Sequence, residues 1–203
     1  MDLNNIDNHI ARCLEHMQCN FTLKDLQRKC VVAIVSGKDV MAILPTGYGK
    51  SIIFQILPYL FSCINNIPFN QTSKIILVIS PLNSLITDQC TALSRMGLRA
   101  CALDYECQGA SAAPTVNDII DSDAEDNDEE EDIDADNGKQ PITGILRTRV
   151  PIQDVVNGRY QIVFSHPEAL ISTTNGRALL ENPVFQENLV AVGVDEAHIV
   201  LQW

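Results

Sequence analysis

The sequence predicts an α/β fold in which helices cover both faces of a parallel sheet. Short apolar runs rich in β-branched residues alternate with segments of helical periodicity along most of the 203 residues. A glycine-rich turn follows the first predicted strand, and an acidic pair follows the last one. Because the ligands of such sheets bind beyond the carboxyl ends of the strands, both features point to a ligand site at one edge.

The individual elements follow from this alternation. Residues 1–20 are expected to form a helical extension, and 23–36 a helix that Thr22 caps and Gly37 ends. Its predicted buried stripe consists of Leu23, Leu26, Cys30, Val31 and Ile34. Strands are predicted at 39–44, 74–80, 99–103, 160–165 and 189–194. Helices are predicted at 52–57, 82–96 and 152–157 and from Pro167 onward, with 177–187 as a connecting segment.

An acidic stretch interrupts the pattern. From about 104 to 148 no periodicity survives, and residues 118–136 hold 12 acidic and no basic side chains. We expect this stretch to be a disordered insert, with basic proteins as a potential partner. Removing its 12 acidic residues from the total of 26 leaves 14, which balances the 14 Lys and Arg residues, so the formal charge of −12 is local.

Composition also bounds the class of protein. No run of about 18 uncharged apolar residues is present, so no membrane-spanning helix is expected, and the polar start at 1–8 is unlike a signal peptide. The seven cysteines are odd in number and include no C-x-x-C pair. They predict small buried side chains in a reduced, intracellular protein rather than a zinc site.

The turn Thr46-Gly47-Tyr48-Gly49-Lys50-Ser51 predicts a phosphate-binding loop. In such a loop the glycines turn backbone N–H groups toward phosphate oxygens, the lysine reaches the β- and γ-phosphates, and the serine hydroxyl completes the Mg²⁺ shell. A nucleotide and Mg²⁺ are therefore the expected ligands. The general pattern has a glycine where this chain has Leu44, and a glycine-rich turn without a ligand remains an alternative on this motif alone.

A second candidate motif, Asp195-Glu196-Ala197-His198, follows the apolar run 189–194. Asp195 is expected to hold Mg²⁺ through water, and Glu196 to polarise the water that attacks the γ-phosphate. The alternative is an ordinary solvated strand end. Its combination with an upstream phosphate loop favours the catalytic interpretation.

With these motifs and four further elements, residues 21–203 resemble the first RecA-like domain of RecQ-family DNA helicases, within superfamily 2. The four elements are 23–27, the run Ser80-Pro81-Leu82-Asn83-Ser84, Ser165-His166-Pro167-Glu168 and Gln202-Trp203. The resemblance implies a P-loop NTPase fold, a RecA-like three-layer sandwich. Leu44 fits it too, because this superfamily accepts other residues at that position.

The resemblance also implies roles for individual residues. Gln27 would read adenine with Lys24 beside the base, and Phe21 would substitute for the aromatic residue that Leu23 replaces. Ser80, Pro81 and Ser84 would hold a DNA phosphate, and Gln202 and Trp203 would begin a DNA-contacting loop. His198 would couple that loop to hydrolysis, and His166 stands where the family has a hydroxyl residue.

Two functions follow as hypotheses. The first is an enzyme: the ATP-binding half of a nuclear ATP-dependent DNA helicase that moves 3′ to 5′ on single-stranded or forked DNA. The second is a non-unwinding module that binds ATP or nucleic acid and acts through its acidic loop. The 203 residues contain no second RecA-like domain, which in the family supplies an arginine finger, so slow hydrolysis is expected.

Overall fold

The structure is a computed structural model that describes residues 5–80, 83–107 and 144–195. The acidic run 118–136 and the residues after Asp195 lie outside this part of the chain. The described residues contain no helix long and apolar enough to cross a membrane. They contain no cluster of His, Cys, Asp and Glu that could hold a metal ion.

A sheet forms the centre of the fold. Its strands are β1 (Ile75–Ile79), β2 (Ala100–Cys107), β3 (Gly144–Thr148), β4 (Ile162–Ser165) and β5 (Leu189–Val194), in the spatial order β3-β2-β4-β1-β5. The four strands β2, β4, β1 and β5 are parallel, which confirms the predicted parallel sheet. Strand β3 adds an antiparallel edge beside β2.

Helices lie on both faces of this sheet, as predicted. They are α1 (Ile6–His16), α2 (Asp25–Val35), α3 (Ile52–Gln55), α4 (Leu57–Ile64), α5 (Asn83–Arg95), α6 (Ile152–Val156), α7 (Pro167–Ile171), α8 (Thr174–Glu181) and α9 (Pro183–Asn188). A short 3₁₀ turn spans Phe69–Gln71. Alternate residues of each central strand enter opposite cores. Ile76 and Val78 pack with residues from α1 to α5, and Ile75 and Leu77 with residues from α6 to α9.

Helix α1 lies within the predicted N-terminal extension and packs into the first core. Ile6, Ile10 and Leu14 are buried, and the helix contacts α4. On its outer side the guanidinium of Arg28 in α2 donates two hydrogen bonds to the Asp7 carboxylate, at 2.6 and 2.8 Å. These bonds hold the pKa of Asp7 below its ordinary value. They therefore stabilise the fold at pH values above the ordinary pKa of an aspartate, and this stabilisation is lost as the pH falls through the lowered pKa.

The predicted strand at 39–44 is wrong. These residues form no regular secondary structure, and Met41 and Ile43 are 87% and 88% exposed. The described sheet ends at β5 without a partner strand from this segment. An apolar run becomes a strand when a neighbour pairs with its backbone N–H and C=O groups, and none of the described strands pairs with residues 39–44.

Strand β5 is correctly predicted, but its predicted burial is wrong. Val192 and Val194 are 56% and 50% exposed, although the run 189–194 has the composition of an internal strand. Among the described strands β5 pairs with β1 alone, so it is an edge strand of this sheet. Its position in the sheet, and not its sequence, leaves these side chains uncovered.

The boundaries of the insert also need correction. Residues 104–107 and 144–148, predicted to be disordered, belong to β2 and β3, which pair in register from Leu103 opposite Thr148 to Cys107 opposite Gly144. The backbone N–H and C=O groups of β3 pair with those of β2, which is distant in the sequence. Such long-range pairing leaves no periodic signal in the local sequence. The central acidic run stays a prediction.

The predicted connecting segment 177–187 instead lies within helices α8 and α9. The Thr173 hydroxyl accepts a hydrogen bond from the Gly176 N–H at 2.9 Å and so caps α8. The Asn182 side chain accepts from the N–H groups of Val184 and Phe185 at 2.9 and 3.2 Å and caps α9. Both caps are local sequence signals of a helix start that the prediction overlooked.

The start of α2 was also predicted wrongly. Lys24, and not Thr22, is the residue that precedes its first turn, and its N–H donates to the Gln27 side-chain oxygen at 2.8 Å. The buried face contains Gln27, Val31 and Val35, whereas Leu26 is 44% exposed. The helix is thus rotated relative to the predicted apolar stripe, and the rotation places an amide in the interior.

A buried amide joins three elements of the second core. The Asn188 side-chain oxygen accepts from the Ser73 hydroxyl at 2.8 Å, just before β1. Its NH₂ group donates to the Val156 carbonyl at 3.2 Å, at the end of α6. Because Asn188 is itself the last residue of α9, this one side chain fixes the entry to β1 relative to two helices.

We expect Asn188→Asp to lower the free energy of unfolding by about 2 kcal/mol, because a carboxylate oxygen would face the Val156 carbonyl without a hydrogen to donate. Urea denaturation measures the change. Asn70→Asp, which adds the same charge at an exposed position, is the matched control and should change stability little. Equal effects of the two substitutions would contradict a structural role of the Asn188 amide.

Candidate nucleotide-binding site

The predicted phosphate loop forms a tight turn. The Tyr48 N–H donates to the Pro45 carbonyl at 3.2 Å, and Gly47 has a φ of 76° inside this turn. Gly49 follows with a φ of 86°. Residues with a side chain rarely adopt such positive φ values, so the two glycines are what allows the chain to fold back twice within a few residues.

Helices α3 and α4 follow the loop and anchor it. The Ile53 N–H donates to the Lys50 carbonyl, and the Gln55 N–H to the Ser51 carbonyl, each at 3.1 Å. Ile52, Ile53 and Ile56 are buried in the first core. The loop side has the opposite character: Thr46, Gly47, Gly49 and Lys50 are exposed and Ser51 is half-buried. A rigid apolar base therefore presents a polar loop to solvent.

Gln27 is a buried polar residue that contacts this loop. Its side chain is 4% exposed. Its NH₂ group donates to the Tyr48 carbonyl at 3.0 Å and to the Gly49 carbonyl at 2.9 Å, while its oxygen accepts from the Lys24 N–H. Sequence reasoning alone would favour a surface glutamine, and the structure instead makes Gln27 a direct contact of the loop.

Lys24 makes a second contact with the same loop. Its ammonium group donates to the Tyr48 carbonyl at 3.1 Å and lies 4.3 Å from the centre of the Tyr48 ring. This is the geometry of a cation–π contact. The structure thus brings together three predicted site residues, Lys24, Gln27 and Tyr48. The sequence analysis assigned no separate role to the Tyr48 ring. Lys24 and Tyr48 are 24 residues apart, so no local pattern in the sequence indicates their contact.

Other predicted site residues lie at the carboxyl ends of the parallel strands. The Ser80 N–H donates to the Ser165 carbonyl at 3.0 Å, and the Asp195 N–H to the Ile79 carbonyl at 2.9 Å. These bonds place Ser80 and Asp195 on one edge of the sheet. The Ser80 hydroxyl is buried and has no hydrogen-bond partner in the described part of the chain. His166, which follows Ser165 in the chain, has its Nδ1 3.8 Å from the Glu168 carboxylate.

The remaining predicted site residues fall outside what the structure describes. They are Pro81, Glu196, His198, Gln202 and Trp203, and the side chain of Ser84, whose backbone belongs to α5. Their roles stay predictions from the sequence and its resemblance.

The glycine-rich loop is contacted by a buried glutamine and followed by two helices that pack into the core. The domain around it has a parallel sheet with helices on both faces. Together these features define the class of P-loop α/β domains. The chain belongs to the DEAD/DEAH box helicase family, because residues 24–126, just over half of its length, match the model of that family.

The relatives of this chain confirm the predicted resemblance to RecQ-type proteins. It is 28% identical over 182 residues to an ATP-dependent DNA helicase Q-like SIM of Arabidopsis thaliana, covering 90% of this chain and 15% of the relative. It is 27% identical over 177 residues to the RecQ-like DNA helicase BLM of Xenopus laevis, covering 87% of this chain and 10% of the relative.

A shorter match has a higher identity. The chain is 37% identical over 84 residues to the probable ATP-dependent DNA helicase RecS of Bacillus subtilis, which covers 41% of this chain and 15% of that protein. The matched parts of the chain thus span about a tenth to a seventh of the length of these three relatives.

The two loop glycines offer a matched test of the contact with Gln27. A methyl group at Gly49 would lie 2.9 Å from the Gln27 side-chain nitrogen, whereas one at Gly47 would meet nothing within 4 Å. Both alanine substitutions carry the strain of a positive φ, about 1–2 kcal/mol. Gly49→Ala should cost about 1 kcal/mol more, since it also displaces the Gln27 hydrogen bonds.

Urea denaturation of the two variants measures this difference. Faster hydrogen exchange of the Arg28 amide, which bonds to the Lys24 carbonyl at 2.9 Å, should accompany Gly49→Ala and not Gly47→Ala. Indistinguishable variants would mean that the Gln27 contact does not hold the loop.

Proposed function

We propose that this chain is the ATP-binding half of an ATP-dependent DNA helicase of RecQ type. The observation that carries the proposal is the exposed loop at 46–51, which is anchored on buried helices and contacted by the buried Gln27. Membership of the helicase family and the DNA helicase names of the relatives support ATP and DNA as the ligands.

Each loop residue then has a chemical task. The exposed Lys50 ammonium neutralises the β- and γ-phosphates, while backbone N–H groups of 46–51 bind their oxygens. Ser51 and Asp195 would hold Mg²⁺, and the bound ion would supply charge neutralisation at the phosphates. Glu196 positions and polarises the attacking water, and His198 transmits the state of the site to bound DNA.

The DNA would bind along the edge formed by the strand ends. The buried Ser80 hydroxyl, without a partner in the described residues, supports a polar ligand there, because buried polar groups normally have one. Backbone phosphates of single-stranded or forked DNA fit Ser80, Pro81 and Ser84, and its bases fit a stack on Trp203 beside Gln202. We further propose 3′ to 5′ movement, action in the nucleus and a basic protein as the partner of 118–136.

The first test is nucleotide binding. Lys50→Ala should weaken Mg²⁺-ATP binding at least tenfold in isothermal calorimetry, because the phosphate charge loses its fixed cation. Lys29→Ala removes the same charge from an exposed position of α2 and is the matched control. Chelation of Mg²⁺ should weaken binding to the wild-type chain as well. Equal ATP affinities of wild type and Lys50→Ala would contradict the assignment of the loop.

The second test separates the enzyme from a mere binding module. Single-turnover hydrolysis of ATP should be slow and should rise when single-stranded DNA is added. Glu196→Gln should lower that rate at least a hundredfold, the usual range for loss of a general base, and leave ATP affinity nearly unchanged. If the wild-type chain binds ATP but hydrolyses it no faster than the Glu196→Gln variant, the chain is a binding module and not an enzyme.

A further inference from the structure

Two thiols face each other where α1 packs against α4. The Sγ atoms of Cys13 and Cys63 are 3.8 Å apart, at the distance of a thiol–thiol hydrogen bond. Cys13 is completely buried, and Cys63 is 6% exposed. The two residues are 50 positions apart, so no spacing in the sequence predicts this pair.

The geometry of the pair is close to that of a disulfide. The two sulfurs of a disulfide are about 2 Å apart, and the residues that carry them must already be neighbours. Helices α1 and α4 meet this condition, because they contact each other in the first core. The remaining approach of about 2 Å needs side-chain rotation and small helix shifts, and no change of fold.

One of the two thiols can be reached from outside. A cavity of about 340 Å³ borders Cys63, and its lining is formed by Arg12, Cys63, Asn66, Ile67, Pro68 and Phe69. Cys13 is not among the described residues that line it, so a reagent in the cavity meets Cys63 first. Arg12 is exposed and gives the cavity a fixed positive charge, which suits an anionic reagent.

We propose that Cys13 and Cys63 form a redox staple, a site of reversible disulfide formation that joins α1 to α4. The oxidant is a small anionic disulfide of the oxidised-glutathione class, which enters by the cavity. The staple involves no residue of the candidate nucleotide site, so it does not depend on the proposed function.

The reaction is a pair of thiol–disulfide exchanges. The Cys63 thiolate attacks one sulfur of oxidised glutathione, which breaks the S–S bond, releases one glutathione thiolate and leaves a mixed disulfide on Cys63. The Cys13 thiolate then attacks the Cys63 sulfur and releases the second glutathione. Two electrons pass from the protein to glutathione, and the two protons lost by the cysteines protonate the two released thiolates.

The surroundings of Cys13 favour this order of events. Burial raises the pKa of the Cys13 thiol and the charge of Cys63 raises it further, whereas the charge of Arg12 lowers it. A mixed disulfide on Cys63 carries no thiolate charge. The first exchange therefore removes one of the causes that keep Cys13 protonated, and makes Cys13 a better nucleophile for the second.

The staple would close a large part of the domain into a loop. The segment from Cys13 to Cys63 contains α2, the turn at 46–51 and α3. A crosslink over about 50 residues stabilises a fold mainly by restricting the unfolded chain. For a chain of this size we expect the oxidised protein to melt about 10 °C higher than the reduced one.

The experiment treats the folded wild-type chain with oxidised glutathione, blocks the remaining thiols by alkylation and maps the disulfides by mass spectrometry. We expect a Cys13–Cys63 disulfide and the rise in melting temperature, both reversed by dithiothreitol. Recovery of Cys13 and Cys63 as alkylated thiols would overturn the proposal. So would a crosslink between them that leaves the melting temperature unchanged.

Single alanine variants test the order of attack. Cys13→Ala should accumulate one glutathione on Cys63, because the second exchange has lost its nucleophile, whereas Cys63→Ala should leave Cys13 unmodified. Glutathione on Cys13 of Cys63→Ala, with none on Cys63 of Cys13→Ala, would overturn the route through the cavity.

Cys30→Ala is the matched control, because Cys30 is a half-buried cysteine of α2 outside the pair. It should form the Cys13–Cys63 disulfide as wild type does and show the same rise in melting temperature. Loss of the disulfide in this variant would overturn the pairing. If either variant of the pair does not fold, the disulfide map of the wild-type chain decides the question without it.

Discussion

The parallel pairing of β1 with β4 is the constraint on which the rest of the structure depends. Ile76 lies opposite Ile162 and Val78 opposite Phe164, and all four side chains are completely or almost completely buried. Because successive residues point to opposite faces, this one pair supplies apolar surface to both cores and requires helices on both sides. It also aligns the carboxyl ends of the strands, which is why Ser80 and Ser165 meet there.

The sheet is covered by helices more completely at its centre than at the edge formed by β5. Around β1 and β4 the cores are closed by α1, α4 and α5 on one face and by the helices after β3 on the other. At β5 and at 39–44, valine, methionine and isoleucine side chains remain exposed. The phosphate loop lies directly after this uncovered segment and is held from its other side by α3, α4 and Gln27. Its position therefore depends on the helices and on one amide more than on a strand.

Sequence reasoning succeeded where the signal is local or strongly periodic. The strands 74–80 and 160–165 and the helix start at Pro167 all have counterparts in the structure. The composition and spacing of the motifs, together with their resemblance to RecQ-type helicases, identified the family. It failed where distant residues decide the outcome. The pairing of β2 with β3 crosses the insert, and the exposure of β5 depends on which strands lie beside it.

The sequence by itself determined the alternation of helices and strands, the glycines that let the phosphate loop turn, and the kind of ligand that Lys50 and Ser51 suit, because backbone preference and side-chain chemistry are properties of single residues and their neighbours. The tertiary structure alone decided that α2 buries Gln27 rather than Leu26, that this amide holds the carbonyls of Tyr48 and Gly49, and that Lys24 covers the Tyr48 ring. Those contacts join residues more than twenty positions apart, and a buried amide is satisfied by whichever groups the packing of the helices places beside it.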